Sequence, residues 1–227
     1  MAIILNIETA TKNCSVCLSD NEKILSLIEF NEGQFSHAEK LHSFILEVLK
    51  NSDKSMQHID AIAVSKGPGS YTGLRIGVSA AKGLCFALDK PLISISTLES
   101  MSHIVEPKKG DFVIPLIDAR RMEVYSAVYN DKYEQIRETL AEIIDEHSFL
   151  DYLKKGKVFF LGDGASKCTE LITHKNANFL NNEFPSAKEM AKLSSKKYQN
   201  REFEDVAYFE PFYLKDFVAG IPKKMFQ

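Results

Sequence analysis

The sequence predicts an α/β protein of two lobes, each with a mixed β-sheet covered by helices. The first observation is that strand patterns come first and helix patterns later in each half of the chain. The second is a soft boundary at residues 105–110, where proline, glycine and charged residues occur together. We therefore expect an N-terminal lobe of residues 1–105 and a C-terminal lobe of residues 106–227, whose last segment packs back toward the N-terminal lobe.

The composition is that of an ordinary globular protein rather than a disordered or fibrous one. Of the 227 residues, 44% are hydrophobic and 26% are charged, and the formal net charge is −3. This slightly negative balance argues against a large basic surface for nucleic acid. The chain has no apolar run of the ~18 to 20 residues that a membrane span requires, and its N-terminus lacks the basic region of a secretory signal. We therefore expect a cytoplasmic protein without membrane association.

The first lobe is predicted to open with an antiparallel meander. Residues 3–7, 15–19 and 23–30 form short apolar or alternating runs joined by polar turns. Cys14 and Cys17 form a C-x-x-C pair, but a separation of three residues in a strand places their side chains on opposite faces. The spacing therefore favours ordinary part-buried thiols over a metal or redox site.

Helical patterns follow the meander. Ser36 and Glu39 have the spacing of a capping box at the start of a helix over residues 36–50. The apolar stripe of this helix would by default cover its own sheet. The remaining predicted elements of the first lobe are a strand at residues 60–65, a helix at residues 71–88 and a strand at residues 91–95.

The second lobe is predicted from the same kinds of pattern. Its predicted strands lie at residues 112–117, 124–129 and 157–161, and its predicted helices at residues 147–155, 166–173 and 186–198.

The strongest local motif is the glycine-rich run at residues 65–77, which lies between a strand and a helix. It matches neither the P-loop nor the dinucleotide-binding fingerprint, and two interpretations remain open. The free amides and positive dipole end of the following helix could hold an anion. Alternatively, Gly67 and Gly69 only shape a tight turn, while Gly73 and Gly77 provide a smooth helix face for close packing.

Several motifs occur in the order found in one known family. They are Leu-Asn-Ile-Glu-Thr-Ala at residues 5–10, Gly-Pro-Gly-Ser-Tyr-Thr-Gly-Leu-Arg at 67–75, Asp-Ala-Arg at 118–120 with Glu-Val-Tyr at 123–125, and more weakly Tyr-Leu-Lys at 213–215. With these motifs the chain resembles the TsaB (YeaZ) family of bacterial tRNA threonylcarbamoyladenosine (t6A) biosynthesis.

The resemblance implies the actin-like, Hsp70-like ATPase fold (ribonuclease H-like), with two related lobes. It also implies a non-catalytic subunit that pairs with TsaD, the catalytic paralogue, and works with TsaE. The complex transfers a threonylcarbamoyl group to N6 of adenosine 37 in tRNAs reading ANN codons. Such a subunit would have no catalytic residues of its own, would form a homodimer when alone and would meet tRNA only indirectly.

The metal centre of the catalytic paralogue has no counterpart in this sequence. TsaD-like chains carry a His-x-x-x-His pair, and alignment places Thr97 and Met101 at its two positions. A hydroxyl and a thioether do not replace two imidazoles on a divalent metal. We therefore expect no metal site here, and expect metal and ATP or ADP on the partner subunits or at the interface with them.

The nucleotide site implied by the fold is also weakened. Actin-like ATPases have an aspartate and then a glycine-containing turn after the first strand, whereas this chain has Glu8 and Ala10. The Cβ of Ala10 obstructs close backbone approach to a phosphate. A possible degenerate nucleotide or anion loop would consist of Glu8, Thr9, Gly67, Gly69 and Ser70. Gly-Asp-Gly at residues 162–164 stands where an adenosine loop would lie, but a plain turn is favoured.

The resemblance further implies that both helices of the first lobe form the subunit interface. Small residues of the second helix would let two helices approach closely. The candidate interface residues are Leu41, Phe44, Ile45, Val48, Leu74, Gly77, Val78, Ala81 and Leu84. We expect this chain to pair through them with TsaD, or with a second copy when TsaD is absent.

The alternative is an enzyme that acts alone, either an actin-fold phosphotransferase or a glycoprotease-type (peptidase M22-like) hydrolase. Thr97 and Met101 in place of two histidines argue against this alternative, and so do Glu8 and Ala10 after the first strand.

Overall fold

The computed structural model describes residues 2–31 and 37–215, and within them ten strands form two five-stranded sheets. The first sheet consists of β1 (Ile3–Glu8), β2 (Cys14–Asp20), β3 (Lys23–Phe30), β4 (Ala61–Gly67) and β5 (Leu92–Ser96). Its order is β3-β2-β1-β4-β5. Pairs within β1–β3 are antiparallel, whereas β4 lies parallel to both β1 and β5. The predicted opening meander is confirmed.

The second sheet repeats this arrangement. It consists of β6 (Phe112–Asp118), β7 (Glu123–Tyr129), β8 (Gln135–Ile143), β9 (Val158–Leu161) and β10 (Ala177–Leu180), in the order β10-β9-β6-β7-β8. Strands β6, β7 and β8 pair antiparallel, and β9 pairs in parallel with β6 and β10. Each strand therefore has a counterpart at the same place in the first sheet, which confirms the expected architecture of two related halves.

Five α-helices accompany the sheets in the described residues: α1 (His37–Asn51), α2 (Tyr71–Leu88), α3 (Thr97–Ser102), α4 (Leu150–Leu153) and α5 (Ala187–Asn200). The helices predicted near residues 36–50, 71–88 and 186–198 are confirmed apart from their ends. The predicted capping residue Ser36 lies outside the described residues.

Two predicted helices of the second half are too long. In place of a helix over residues 147–155 the structure has only α4, because Phe149 before it adopts a φ of 63° that no helix can contain. In place of a helix over residues 166–173 it has the 3-10 turn Ser166–Cys168. The sequence patterns also miss α3, β8 and β10. Strand β8 lacks a clear apolar run, and only its pairing with β7 makes it a strand.

One face of the first sheet is covered by α1 and α2. Leu41 and Ile45 of α1 and Val78 of α2 are buried in one apolar core with strand residues such as Ile7 and Val64. The apolar stripe of α1 therefore covers its own sheet, as an amphipathic surface helix does by default.

The opposite face of the first sheet is covered by α5, although α5 follows the second sheet in the chain. Met190 of α5 lies in a buried cluster with Ile4 and Ile93. The Ser194 hydroxyl donates to Oδ1 of Asn6 at 2.7 Å. Because this sheet face is apolar, it must be covered, and the chain returns from its second half to do so.

The C-x-x-C pair is divided between the two faces of the first sheet. Cys14 lies in the core beneath α1 and α2, and Cys17 lies on the opposite face beneath α5. All four cysteines are free and buried, and burial raises the pKa of Cys14 to about 11 and that of Cys17 to about 12. The predicted orientation is confirmed, and thiols that stay protonated at neutral pH are poor nucleophiles and metal ligands.

A carboxyl group is buried at the end of β1. The Oε1 of Glu8 accepts a hydrogen bond from the Ala10 amide at 2.6 Å, whereas its Oε2 has no hydrogen-bond partner in the described part of the chain. Burial raises the pKa of Glu8 to about 7, although hydrogen bonds from Ala10, Ser65 and Thr9 lower it in part; the charge of Glu189 raises it further. The folded protein therefore keeps a proton on Glu8 at pH values where an unfolded chain has lost it.

This burial predicts a fall in stability between about pH 5 and pH 8. The unfolded glutamate releases its proton near pH 4.5 and the folded one near pH 7, so the free energy of unfolding decreases as the pH rises through that interval. Glu8→Gln keeps the acceptor for Ala10 and removes the titration, so the variant should gain up to about 3 kcal/mol relative to the wild type from pH 5 to pH 8. Urea unfolding across this range measures the difference.

The matched control is Glu47→Gln, which changes an exposed glutamate of α1. Its pH profile should run parallel to that of the wild type. A Glu8→Gln profile that also runs parallel would contradict the assignment of a buried, protonated carboxyl group.

Candidate functional site

A cleft of about 450 Å³ lies between the two halves. The first half contributes the loop after β1 and the glycine-rich turn before α2, and the second half contributes the end of β6 and the turn that follows it. A segment near the end of the described chain forms a third wall. The lining residues are Ala10, Thr11, Lys12, Pro68, Gly69, Ser70, Tyr71, Thr72, Ile117, Asp118, Ala119, Arg120, Tyr125, Asp163, Phe212, Tyr213, Leu214 and Lys215.

The glycine-rich turn packs directly against the loop after β1. The Ser70 amide donates to the Ala10 carbonyl at 2.6 Å, and the Thr9 hydroxyl donates to the Gly73 carbonyl at 2.9 Å. A Cβ at Gly69 would lie 2.7 Å from that of Ala10, and one at Gly73 would clash with the carbonyl oxygen of Thr9. The geometry therefore favours the packing interpretation of these glycines, because only a residue without a side chain permits this approach.

The residues of the predicted anion loop lie together, but their hydrogen bonds are made within the protein. The Thr9 amide donates to the Ser65 hydroxyl at 3.4 Å, and the Ala10 amide donates to Glu8. The Ser70 hydroxyl accepts from the Gly73 amide at 3.3 Å and so caps α2. Gly67, at the end of β4, has a φ of 107° and faces the carbonyl of Phe212. These amides point at protein acceptors rather than at the cleft.

The opposite wall is organised by a lysine that sequence reasoning did not identify. The Nζ of Lys167 donates to Oδ1 of Asp118 at 2.6 Å and to the carbonyls of Arg121 and Glu123 at 2.7 Å each. Between β6 and β7, Arg120 and Arg121 both have positive φ values, of 71° and 53°. Hairpin turns with positive φ at both central residues normally use asparagine and glycine. Two arginines do not favour this conformation, and the hydrogen bonds of Lys167 stabilise it.

The Gly-Asp-Gly sequence at residues 162–164 forms a turn packed against β6. Gly162 has a φ of 111°, and the Gly164 amide donates to the Leu116 carbonyl at 2.9 Å. Oδ1 of Asp163 accepts from the Asp118 amide at 2.9 Å, and burial raises the pKa of Asp163. The Asp163 side chain therefore joins the turn at residues 162–164 to the end of β6. This structural role favours the interpretation of residues 162–164 as a plain turn.

Thr97 and Met101 lie in α3, and both are buried. Met101 packs in an apolar cluster with Leu98 and Leu161, and a Cβ at Gly162 would lie 2.7 Å from its terminal methyl group. Its thioether thus fills the space beside the second sheet. Among the described residues, no group of three or more His, Cys, Asp or Glu side chains is placed to hold a metal ion.

Most of the predicted interface residues are buried within this chain. The buried members are Leu41, Ile45, Val48, Leu74, Gly77, Val78 and Ala81. They face their own sheet or the loop after β1. Phe44 and Leu84 are half-buried. That α1 and α2 form an interface through these residues stays a prediction.

The sequence patterns did not select the outward-facing residues of these two helices, because these residues lie outside the apolar stripes. Phe86 of α2 is 86% exposed and Leu46 of α1 is 62% exposed. Gly83 also lies on the exposed side, and a Cβ there would meet no atom within 4 Å. We call Leu46, Gly83 and Phe86 the outer face of α1 and α2.

No described helix is both long and apolar enough to cross a membrane.

Comparison with known proteins identifies the family. Residues 31–223 match the family model of TsaD, tRNA N6-adenosine threonylcarbamoyltransferase. The chain is 31% identical to the tRNA threonylcarbamoyladenosine biosynthesis protein TsaB of Haemophilus influenzae over 226 residues, 95% of this chain and 94% of that protein. It is also 31% identical to the TsaB of Escherichia coli over 224 residues, 95% of this chain and 96% of that protein.

A solved structure agrees with the sequence relatives. A protein described as similar to the peptidase YeaZ from Pseudomonas aeruginosa superimposes with a TM-score of 0.79 at 26% identity, covering 95% of this chain and all of that one. The two mixed sheets are those of the actin-like ATPase fold. From the sequence relatives and the superposition, the chain belongs to the TsaB family of tRNA threonylcarbamoyladenosine biosynthesis proteins.

Proposed function

We propose that this chain is a non-catalytic subunit of the t6A-forming complex, required by a TsaD partner for threonylcarbamoyl transfer to N6 of adenosine 37 in tRNAs reading ANN codons. ATP or ADP and metal bind on the partner subunits or at the interface with them, and TsaE joins the larger assembly. The tRNA is contacted indirectly, and the chain pairs with itself when TsaD is absent. Membership of the TsaB family supports this role.

The observation that carries the proposal is the contact between the glycine-rich turn and the loop after β1. In an actin-like ATPase, as the resemblance implies, the turn after the first strand approaches the phosphates of the nucleotide. Here the amides of Thr9, Ala10, Ser70 and Gly73 donate to acceptors of the protein itself. Because these four amides already donate hydrogen bonds within the protein, they are not free to bind a phosphate. This arrangement suits a subunit that supports chemistry on a partner.

The outer face of α1 and α2 supports a docking role. A glycine in a helix interior costs roughly 0.5–1 kcal/mol relative to alanine. Nothing in the described chain requires Gly83 to lack a side chain, because the space around its Cβ position is open. The open space at Gly83 would let a helix of a partner approach closely, and the exposed ring of Phe86 would contact it.

The first prediction concerns reconstitution of tRNA modification. With TsaD, TsaE, an activated threonylcarbamoyl donor and tRNA, omission of this chain should abolish t6A formation, measured by nucleoside analysis of the tRNA. Adding the chain back should restore it. Full activity without this chain would contradict the proposed function.

The second prediction concerns the outer face of α1 and α2. Phe86→Glu should weaken binding to TsaD by about 30-fold or more, the loss typical of an interface hot spot, because a charge replaces an apolar anchor. Titration calorimetry measures the affinity, and unfolding curves verify that the fold is unchanged.

The matched control for Phe86→Glu is Ile143→Glu, at a residue of β8 that is 74% exposed and lies in the second half. The control should bind like the wild type. Equal affinity of all three proteins would refute the assignment of this surface.

The third prediction separates a subunit from an enzyme that acts alone. The purified chain should release no more phosphate from ATP than a buffer blank, should cleave no glycoprotein substrate, and should contain less than a stoichiometric amount of metal by elemental analysis. Stoichiometric zinc or iron, or sustained ATP turnover, would favour the enzyme instead.

A further inference from the structure

The last described segment, residues 204–215, crosses from one half of the protein to the other. It begins at the free edge of the first sheet, where the Glu204 amide donates to the Leu92 carbonyl of β5 at 2.9 Å. The Ser94 hydroxyl donates to the Glu204 carboxylate at 2.5 Å. We call this segment the strap.

The strap is held along α2 by hydrogen bonds to its backbone and by half-buried side chains. The Nζ of Lys82 donates to the carbonyls of Ala207 and Phe209 at 3.1 and 3.0 Å. Val206 and Phe209 pack against the core of the first half, whereas the side chain of Tyr208 between them is 84% exposed. This part of the strap is fixed to the first half.

The strap then passes over the glycine-rich turn. The Phe212 amide donates to the Lys66 carbonyl at 2.7 Å. The ring of Tyr213 lies 4.9 Å from that of Tyr71, and its hydroxyl accepts a hydrogen bond from Nε of Arg75 at 3.1 Å. Both of these partners belong to the first turns of α2, so the strap is positioned at the mouth of the cleft.

The far end of the strap reaches the second half. Lys215 forms an ion pair with Glu123, the first residue of β7. Glu123 follows the Arg120–Arg121 turn, and residues 212–215 line the cleft together with Arg120. The strap therefore spans the mouth of the cleft, while α3 packs against both sheets at its base.

We propose that the strap is a latch that holds the two halves closed over the cleft. Its two ends differ in strength, which is what a latch requires. The end on the first half is anchored by backbone hydrogen bonds and by the half-buried apolar side chains of Val206 and Phe209. The end on the second half depends on an ion pair whose side chains are 42% and 23% exposed, and such pairs are weak. Release therefore occurs at Lys215 and opens the cleft that residues 212–215 line.

Hydrogen exchange of the intact chain, followed by mass spectrometry, tests the latch in the protein alone, so the result does not depend on the proposed function. The reporter is the Phe212 amide of the strap, which donates to the Lys66 carbonyl and exchanges when this part of the strap lifts. Lys215→Glu should accelerate its exchange about two- to fivefold, the effect of losing a part-exposed ion pair. Tyr213→Ala should accelerate it at least as much, because it removes the contacts with Tyr71 and Arg75.

Two controls separate a latch from a general loss of structure. Tyr208→Ala removes an aromatic ring from the same strap without touching the cleft, and it should leave exchange of the Phe212 amide unchanged. The double variant Lys215→Glu with Glu123→Lys restores the ion pair with reversed charges, and it should return exchange to the wild-type rate. Unchanged exchange in both latch variants, equal acceleration by Tyr208→Ala, or failure of the reversed pair to restore protection would each overturn the proposal.

Discussion

The contact between the glycine-rich turn and the loop after β1 is the constraint on which the rest of the first half depends. It seats the start of α2, because Ser70 both bonds to Ala10 and caps the helix. It is possible only where Gly69 and Gly73 lack side chains. The same contact engages the Ser70 and Gly73 amides in hydrogen bonds within the protein, so these donors are not directed at the cleft.

Glu8 at the end of β1 lies on the sheet face that α5 covers, close to Ser65 and Glu189. Its carboxyl group has no access to water there, and its raised pKa is the result. About half of such an acid is still protonated near pH 7. The polar residues at the centre of the first half thus serve packing, whereas the surfaces available to other molecules lie elsewhere, on the outer face of α1 and α2 and around the cleft that the strap spans.

Periodicity and turn chemistry predicted most of the fold. The helices α1, α2 and α5 could be read from local pattern because each buries one apolar face, and the meander because its strands are short runs between polar turns. The misses have physical causes: β8 is a strand only through its pairing with β7, and Phe149 takes a backbone conformation that ends any helix before α4. Among the site residues, the glycine-rich turn was found, whereas Lys167 was not, because its partners are more than 40 residues away in the chain.

The sequence by itself determined the family, the two related halves and the loss of the paired histidines at Thr97 and Met101, since these depend on residue identity and order. Only the tertiary structure decided which way each side chain faces. An apolar stripe does not reveal whether it covers its own sheet or a partner, and α1 and α2 turn theirs inward, leaving Phe86 and Gly83 outside. Likewise, the ion pair between Lys215 and Glu123 became visible only in the folded chain, because ion pairs between distant residues leave no local pattern.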